Sequence, residues 1–155
     1  MIDLASQESN GILADDMGLG KTIQAISYMA YLREENGIRG KHLVVCPKSV
    51  SRNWIREINK WLPNANAVLL ENTENERAEC LKKYVRPRKF DILVTTYEGV
   101  KTCVMALERI HWEMLVIDEA HKIKNFESQN FAATYHLKAS FKLLMTGTPL
   151  NNNLQ

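Results

Sequence analysis

Gly11-Ile12-Leu13-Ala14-Asp15-Asp16-Met17-Gly18-Leu19-Gly20-Lys21-Thr22 places a short apolar run directly before a glycine-containing turn that ends in Gly-Lys-Thr. Beyond it, Ile23, Ile26, Ala30 and Tyr31 fall at helical spacing over residues 22–35. The order strand, loop, helix is the setting a phosphate-binding loop requires. Gly18 and Gly20 let backbone N–H groups turn toward an anion with no Cβ in the way, and a helix N-terminus favours negative charge. Lys21 is then placed to reach the β- and γ-phosphates of ATP, and the Thr22 hydroxyl to take a place on Mg²⁺, with Asp16, Met17 and Leu19 completing the loop. The strict phosphate-loop pattern would put glycine at position 15, where this chain has Asp15, so the loop is a variant form. A glycine-rich turn opening an ordinary helix is the plain alternative, and the flanking strand and helix weigh against it.

Further short apolar runs recur at residues 42–46, 67–70, 91–95, 114–117 and 142–145, with longer stretches between them. Runs such as Leu43-Val44-Val45 and Leu115-Val116-Ile117 do not alternate, as expected of parallel strands covered by helices on both faces. Residues 51–62 carry Trp54, Ile55, Ile58, Trp61 and Leu62 at helical spacing and end at Pro63; further helices are predicted over 74–85 and 128–137. Trp54, Trp61 and Trp112 read as packing residues, and Arg86-Pro87-Arg88-Lys89 as a solvated basic turn. The pattern predicts an α/β protein of the P-loop NTPase type with a mostly parallel sheet and one domain over residues 1–155.

The chain has 155 residues, 45% hydrophobic and 25% charged, with a formal charge of +2. That describes an ordinary globular domain and carries no diagnosis of a polyanion partner. Cys46, Cys80 and Cys103 form no CxxC pair, which fits reduced structural thiols better than disulfides or zinc. No apolar run approaches the roughly 20 residues that span a bilayer, so no membrane partner is expected.

In an open parallel sheet, ligands gather at the carboxyl ends of the strands. There Leu115-Val116-Ile117 leads into Asp118-Glu119-Ala120-His121. Asp118 is the candidate Mg²⁺ carboxylate, and Glu119 the residue that orients the water attacking the γ-phosphate. A carboxylate pair at a strand end could instead cap a helix, an alternative that a phosphate loop upstream makes remote.

Together with Ile92-Leu93-Val94-Thr95-Thr96-Tyr97-Glu98 and Lys142-Leu143-Leu144-Met145-Thr146-Gly147-Thr148-Pro149, these blocks resemble the first motor lobe of Snf2-family ATPases, in helicase superfamily 2. Within the family the chain looks most like imitation-switch chromatin remodellers, on Cys46-Pro47-Lys48-Ser49-Val50, Asn53-Trp54, the stretch VIDEAHKIKN over 116–125 and LNNNL over 150–154. The resemblance implies a RecA-like three-layer αβα lobe with a DEAH box. ATP and Mg²⁺ would be held by Lys21, Thr22 and Asp118, and hydrolysis supported by Asp118 and Glu119. It further implies that His121 with Thr146, Gly147 and Thr148 couples the nucleotide to nucleic acid. Pro47, Lys48 and Ser49, and Thr95, Thr96 and Tyr97, would contact the backbone of duplex DNA, bare or in nucleosomes. Phosphate contacts of that kind position a protein without reading sequence and depend strongly on salt. A nuclear location is implied by the resemblance alone.

By the same resemblance, the second lobe and its arginine finger lie outside these residues. Such an arginine is worth about 10³–10⁵ in rate, so the isolated chain is expected to bind Mg·ATP and turn it over poorly. A non-catalytic nucleotide- or DNA-binding module derived from such a motor is the competing expectation; the retained Lys21, Thr22, Asp118 and Glu119 speak against decay. A P-loop kinase or transporter ATPase would leave residues 95–97 and 146–149 unexplained, and RNA helicases with the same acidic box usually carry Ser-Ala-Thr where this chain has Thr146-Gly147-Thr148.

Overall fold

The computed structural model describes residues 11–14, 18–34, 40–70, 73–118, 134 and 136–146, with the backbone alone for 11–14, 18–20 and 146. Six strands form one sheet: β1 (Gly11–Ala14), β2 (Lys41–Val45), β3 (Ala67–Leu69), β4 (Ile92–Thr95), β5 (Trp112–Ile117) and β6 (Ala139–Thr146). Their spatial order is β1-β6-β5-β2-β4-β3, and every pairing is parallel.

The non-alternating apolar runs explain this architecture, because each central strand buries side chains on both faces. On one face Val44, Val94, Val116 and Leu143 pack against two helices. Helix α1 (Gly18–Glu34) contributes Ala25, Ile26, Met29 and Leu32, and α2 (Ser51–Trp61) contributes Trp54 and Ile58. On the other face Leu43, Val45, Leu93, Leu115 and Ile117 meet Cys80 of α3 (Glu74–Cys80), Val100 of α4 (Tyr97–Thr102) and Leu107 of α5 (Val104–Leu107). Burying each such large aliphatic side chain stabilises the fold by about 1.5–3 kcal/mol.

All six expected strands are present, with β5 and β6 starting earlier than their apolar runs. Lys41 stands opposite Trp112 and His42 opposite Met114, so Glu113 is an extra residue relative to β2. Such a bulge turns the residues on its two sides to different faces: Met114 joins the α1–α2 core and Trp112 the opposite one. Gly40 packs against this bulge, where a Cβ would overlap the Glu113 side chain. The Trp112 indole donates to the carbonyl of Leu107 at 3.2 Å.

The helix expected over 74–85 is α-helical to Cys80 and continues as a wider π turn, Leu81–Val85. Thr73 caps it by accepting from the Glu76 N–H, and its hydroxyl donates to the Glu76 carboxylate, which holds the cap in place. The turn at Arg86-Pro87-Arg88-Lys89 is exposed as expected. Arg88 adopts a left-handed φ of 61° and donates to the carbonyls of Val85, Arg86 and Arg109. Trp54 and Trp112 are buried, but Trp61 corrects the packing assignment. It is 49% exposed at the end of α2, where its indole donates to Glu57 one turn back. The helix expected over 128–137 lies outside the described residues except for Thr134, His136 and Leu137. Among the described residues, the three cysteines are buried and form no disulfide, and no helix is long and apolar enough to cross a membrane.

Candidate functional site

The parallel register brings the functional segments to one edge of the sheet. Ala14 pairs with Thr146, Ile117 with Leu144 and with Val45, and Val45 with Thr95. The chain therefore leaves β1, β5, β2 and β4 on the same side. Helix α1 opens at Gly18, so Gly18, Leu19, Gly20 and Lys21 form its first turn, where backbone N–H groups lack intrahelical acceptors. Lys21 is 1% exposed and Thr22 5% exposed. A lysine this deep is tolerated only where polar or charged groups meet it, and both residues have interaction partners.

Asp118 leaves β5 between β6 and β2, and the bonds that fix it include one at its N–H, one at its carboxylate and one at its carbonyl. Its N–H donates to the Val45 carbonyl at 2.7 Å. Its Oδ2 accepts the Trp54 indole N–H at 2.9 Å. Its own carbonyl accepts the Tyr97 hydroxyl. The neighbouring Cys46 thiol is pushed up, first by burial and then by the negative charge of Asp118. Cys46 ties β2 to β4 as well, its N–H donating to the Thr95 carbonyl at 3.0 Å and its Sγ to the same oxygen at 3.6 Å.

The two loops expected to face DNA are therefore neighbours, after paired strands β2 and β4. In the first, Lys48 and Ser49 are exposed and Pro47 half-buried, within a 3₁₀ turn over Lys48–Val50. That turn is locked to α2 by the Ser51 hydroxyl, which donates to the Lys48 carbonyl at 3.0 Å. In the second, the hydroxyls are committed internally. Thr95 is buried and donates to the Leu70 carbonyl at 3.5 Å. Thr96 caps α4, accepting the Gly99 N–H at 3.0 Å.

Of the remaining candidates, Asp16, Met17, Glu119, His121, Gly147 and Thr148 lie outside the described residues, and Thr146 is described as the last residue of β6. Two contributors were not legible in the sequence. Trp54 reads there as packing, yet its polar atom reaches Asp118. Gly99 carries no signal beyond a glycine inside a short helix, although a Cβ at that position would overlap the Thr95 hydroxyl.

This arrangement is a RecA-like α/β lobe. The structure matches a SWI2/SNF2 ATPase core of Sulfolobus solfataricus, solved in complex with double-stranded DNA, with a TM-score of 0.77 and 34% sequence identity, covering 92% of this chain and 28% of that one. The chain belongs to the SNF2-related domain family, whose model matches residues 1–155. Among curated relatives it is 45% identical to the ISWI chromatin-remodeling complex ATPase ISW1 of Saccharomyces cerevisiae, over 99% of this chain and 14% of that protein. It is 41% identical to the human SWI/SNF-related matrix-associated actin-dependent regulator of chromatin subfamily A member 1, over 99% of this chain and 15% of that protein. The chain thus spans about a seventh of the length of these two relatives.

Proposed function

We propose that this chain is the ATP- and Mg²⁺-binding first lobe of an ATP-dependent motor on double-stranded DNA, of the chromatin-remodelling kind. The observation that carries this reading is the delivery of buried Lys21 and Thr22, at the start of α1, and Asp118, at the end of β5, to the same edge of one parallel sheet. The donors suit Mg²⁺: a hydroxyl and a carboxylate are hard oxygen ligands, and this ion commonly takes few protein ligands beside phosphate oxygens and water. When bound, it would neutralise charge on the β- and γ-phosphates.

In this reading the N–H groups of Gly18–Gly20, with Asp16 and Met17, cradle the phosphates, and Lys21 adds positive charge. Glu119 orients the attacking water. His121 and Thr146, Gly147 and Thr148 couple the nucleotide to DNA. Pro47, Lys48 and Ser49 hold one stretch of phosphate backbone, aided by the exposure of Lys48 and Ser49. The stretch Thr95, Thr96 and Tyr97 holds the next, chiefly through its main chain, since both threonine hydroxyls serve the fold. A second lobe would supply the arginine that completes hydrolysis, and a chromatin substrate goes with a nuclear location.

The test is ATP turnover with Mg²⁺, with and without duplex DNA. The full protein that contains this lobe is expected to show DNA-stimulated, salt-sensitive hydrolysis that Lys21→Ala and Asp118→Asn each abolish. The 155 residues alone are expected to bind nucleotide with little turnover. Nucleotide binding by the full protein with no hydrolysis in the presence of DNA would replace this reading with that of a non-catalytic module.

A further inference from the structure

The chain has three tryptophans, and each indole N–H finds an acceptor. Trp112 donates to a carbonyl only five residues away, and Trp61 to a glutamate within its own helix. These are local solutions to the need of an indole for a partner. Trp54 donates across 64 residues of sequence to the carboxylate of Asp118. It is 1% exposed, so its ring is locked by the core between α2 and the sheet. A hydrogen bond to a carboxylate is about twice as strong as one between neutral groups. With the ring fixed, this bond sets the rotation of the Asp118 side chain.

Helix α2 is also the element that continues from the loop at Pro47–Ser49. The turn Lys48–Val50 runs into it without a break, fastened by the Val50 N–H on the Pro47 carbonyl and by the Ser51 hydroxyl on the Lys48 carbonyl. From the other side, Tyr97 opens α4 directly after Thr95 and Thr96, and its hydroxyl meets the Asp118 main-chain carbonyl. The helix that follows each of the two adjacent loops therefore carries one aromatic residue bonded to Asp118, Trp54 of α2 at the carboxylate and Tyr97 of α4 at the backbone.

We propose that Trp54 is a positioning residue for Asp118, and that Trp54 and Tyr97 together form the link through which duplex DNA held at Pro47–Ser49 and Thr95–Tyr97 sets the orientation of the Mg²⁺ carboxylate. This rests on the function proposed above and deepens it. DNA bound at the two loops shifts the starts of α2 and α4 by small amounts. The rigid indole and the phenol pass that shift to Asp118, so hydrolysis responds to DNA before any contact between DNA and nucleotide.

The test uses the full protein that contains this lobe, comparing Trp54→Phe, Tyr97→Phe, the double variant and, as a control on the same helix, Trp61→Phe. Trp54→Phe keeps an aromatic ring and removes the N–H. The expected result is a DNA-stimulated kcat about tenfold lower, a KM for ATP within about twofold, and a higher Mg²⁺ concentration for half-maximal rate. Tyr97→Phe is expected to lower stimulation similarly, and the double variant to lose no more than the larger single loss, because both act on one residue. Trp61→Phe is expected to keep the stimulation. Unchanged DNA stimulation and Mg²⁺ dependence in either Trp54→Phe or Tyr97→Phe overturns the link, as do strictly multiplicative losses in the double variant. Should Trp54→Phe fail to fold, Tyr97→Phe decides alone. Absence of DNA stimulation in the unmodified protein would instead refute the functional reading on which the link rests.

Discussion

Gly99 and Thr95 are packed so closely that a single methyl group at position 99 would overlap the Thr95 hydroxyl. That hydroxyl is buried on the Leu70 carbonyl, and the Gly99 N–H is itself the donor capped by Thr96. Alanine normally gains about 1 kcal/mol over glycine in a helix. Here overpacking of about 1–3 kcal/mol opposes it and displaces a buried hydrogen bond. Gly99→Ala is therefore expected to lower stability by about 1 kcal/mol or more, seen as a fall of a few degrees in Tm. Thr95→Ala in the same chain should recover part of the loss, so the pair costs less than the sum of the two single changes.

A second prediction concerns pH. His42 is buried in β2, and among the described residues neither ring nitrogen has a hydrogen-bond partner. Burial, and then the Arg33 guanidinium, push its pKa down from 6.5 to about 4, with Asp91 opposing. The unfolded chain takes up this proton first as pH falls, so the stability contribution is complete above about 6.5 and is lost progressively toward 4. The full span is worth about 3 kcal/mol. His42→Leu should flatten that part of the profile, and urea midpoints at pH 7 and pH 5 measure it: the variant is expected to lose less between them than the unmodified chain.

The Arg33–Asp91 pair gives a third. Arg33 Nη1 lies 3.5 Å from Asp91 Oδ1, with side-chain exposures of 10% and 27%. Asp91 Oδ2 also accepts the Asn66 N–H at 2.7 Å. Removing the carboxylate leaves a mostly buried guanidinium uncompensated beside His42, a situation that costs about 3 kcal/mol or more when a pair is fully buried and less here. Asp91→Ala is expected to destabilise by about 2 kcal/mol in urea unfolding at pH 7, and Asp91→Asn by less, because it keeps an acceptor for Asn66.

Thiol chemistry supplies a fourth. Burial raises the pKa of Cys46 and Cys103, with Asp118 adding to the effect at Cys46 and Arg77 opposing it at Cys103. Since the thiolate is the nucleophile, modification in the native protein should be slower than in urea by more than about tenfold at pH 8. A disulfide-exchange reagent with optical readout measures this directly, and rapid native labelling of Cys46 would contradict the packing at the ends of β2 and β4.

The strands were legible because apolar runs such as Leu43-Val44-Val45 need no long-range information to be read. The starts of β5 and β6 were not, since Trp112-Glu113 and Ala139-Ser140 become strand by pairing with one another across the sheet. Helices α4 and α5 have six and four residues, too few to show a period, and α4 carries Gly99 in its middle. The phosphate loop and acidic box carried an expectation of chemistry in their residue types, spacing and flanking elements. The supports of Asp118 did not: helical spacing marks Trp54 and Trp61 alike, and only the tertiary fold separates a buried indole aimed at a carboxylate from one half in water.

The pairing of β1 with β6 joins residues 11–14 to residues 143–146, the widest sequence separation among the strand pairs. Closing so long a loop costs conformational entropy before any contact rewards it, and such contacts form late in folding. During synthesis β1, which leads into the proposed phosphate loop, must wait for β6 to leave the ribosome before it can join the sheet. Until then β2, β3, β4 and β5 can assemble with an open flank at β5, a raw β edge of the kind chaperones shield. The proposed nucleotide site is thus the last part of this lobe to be born.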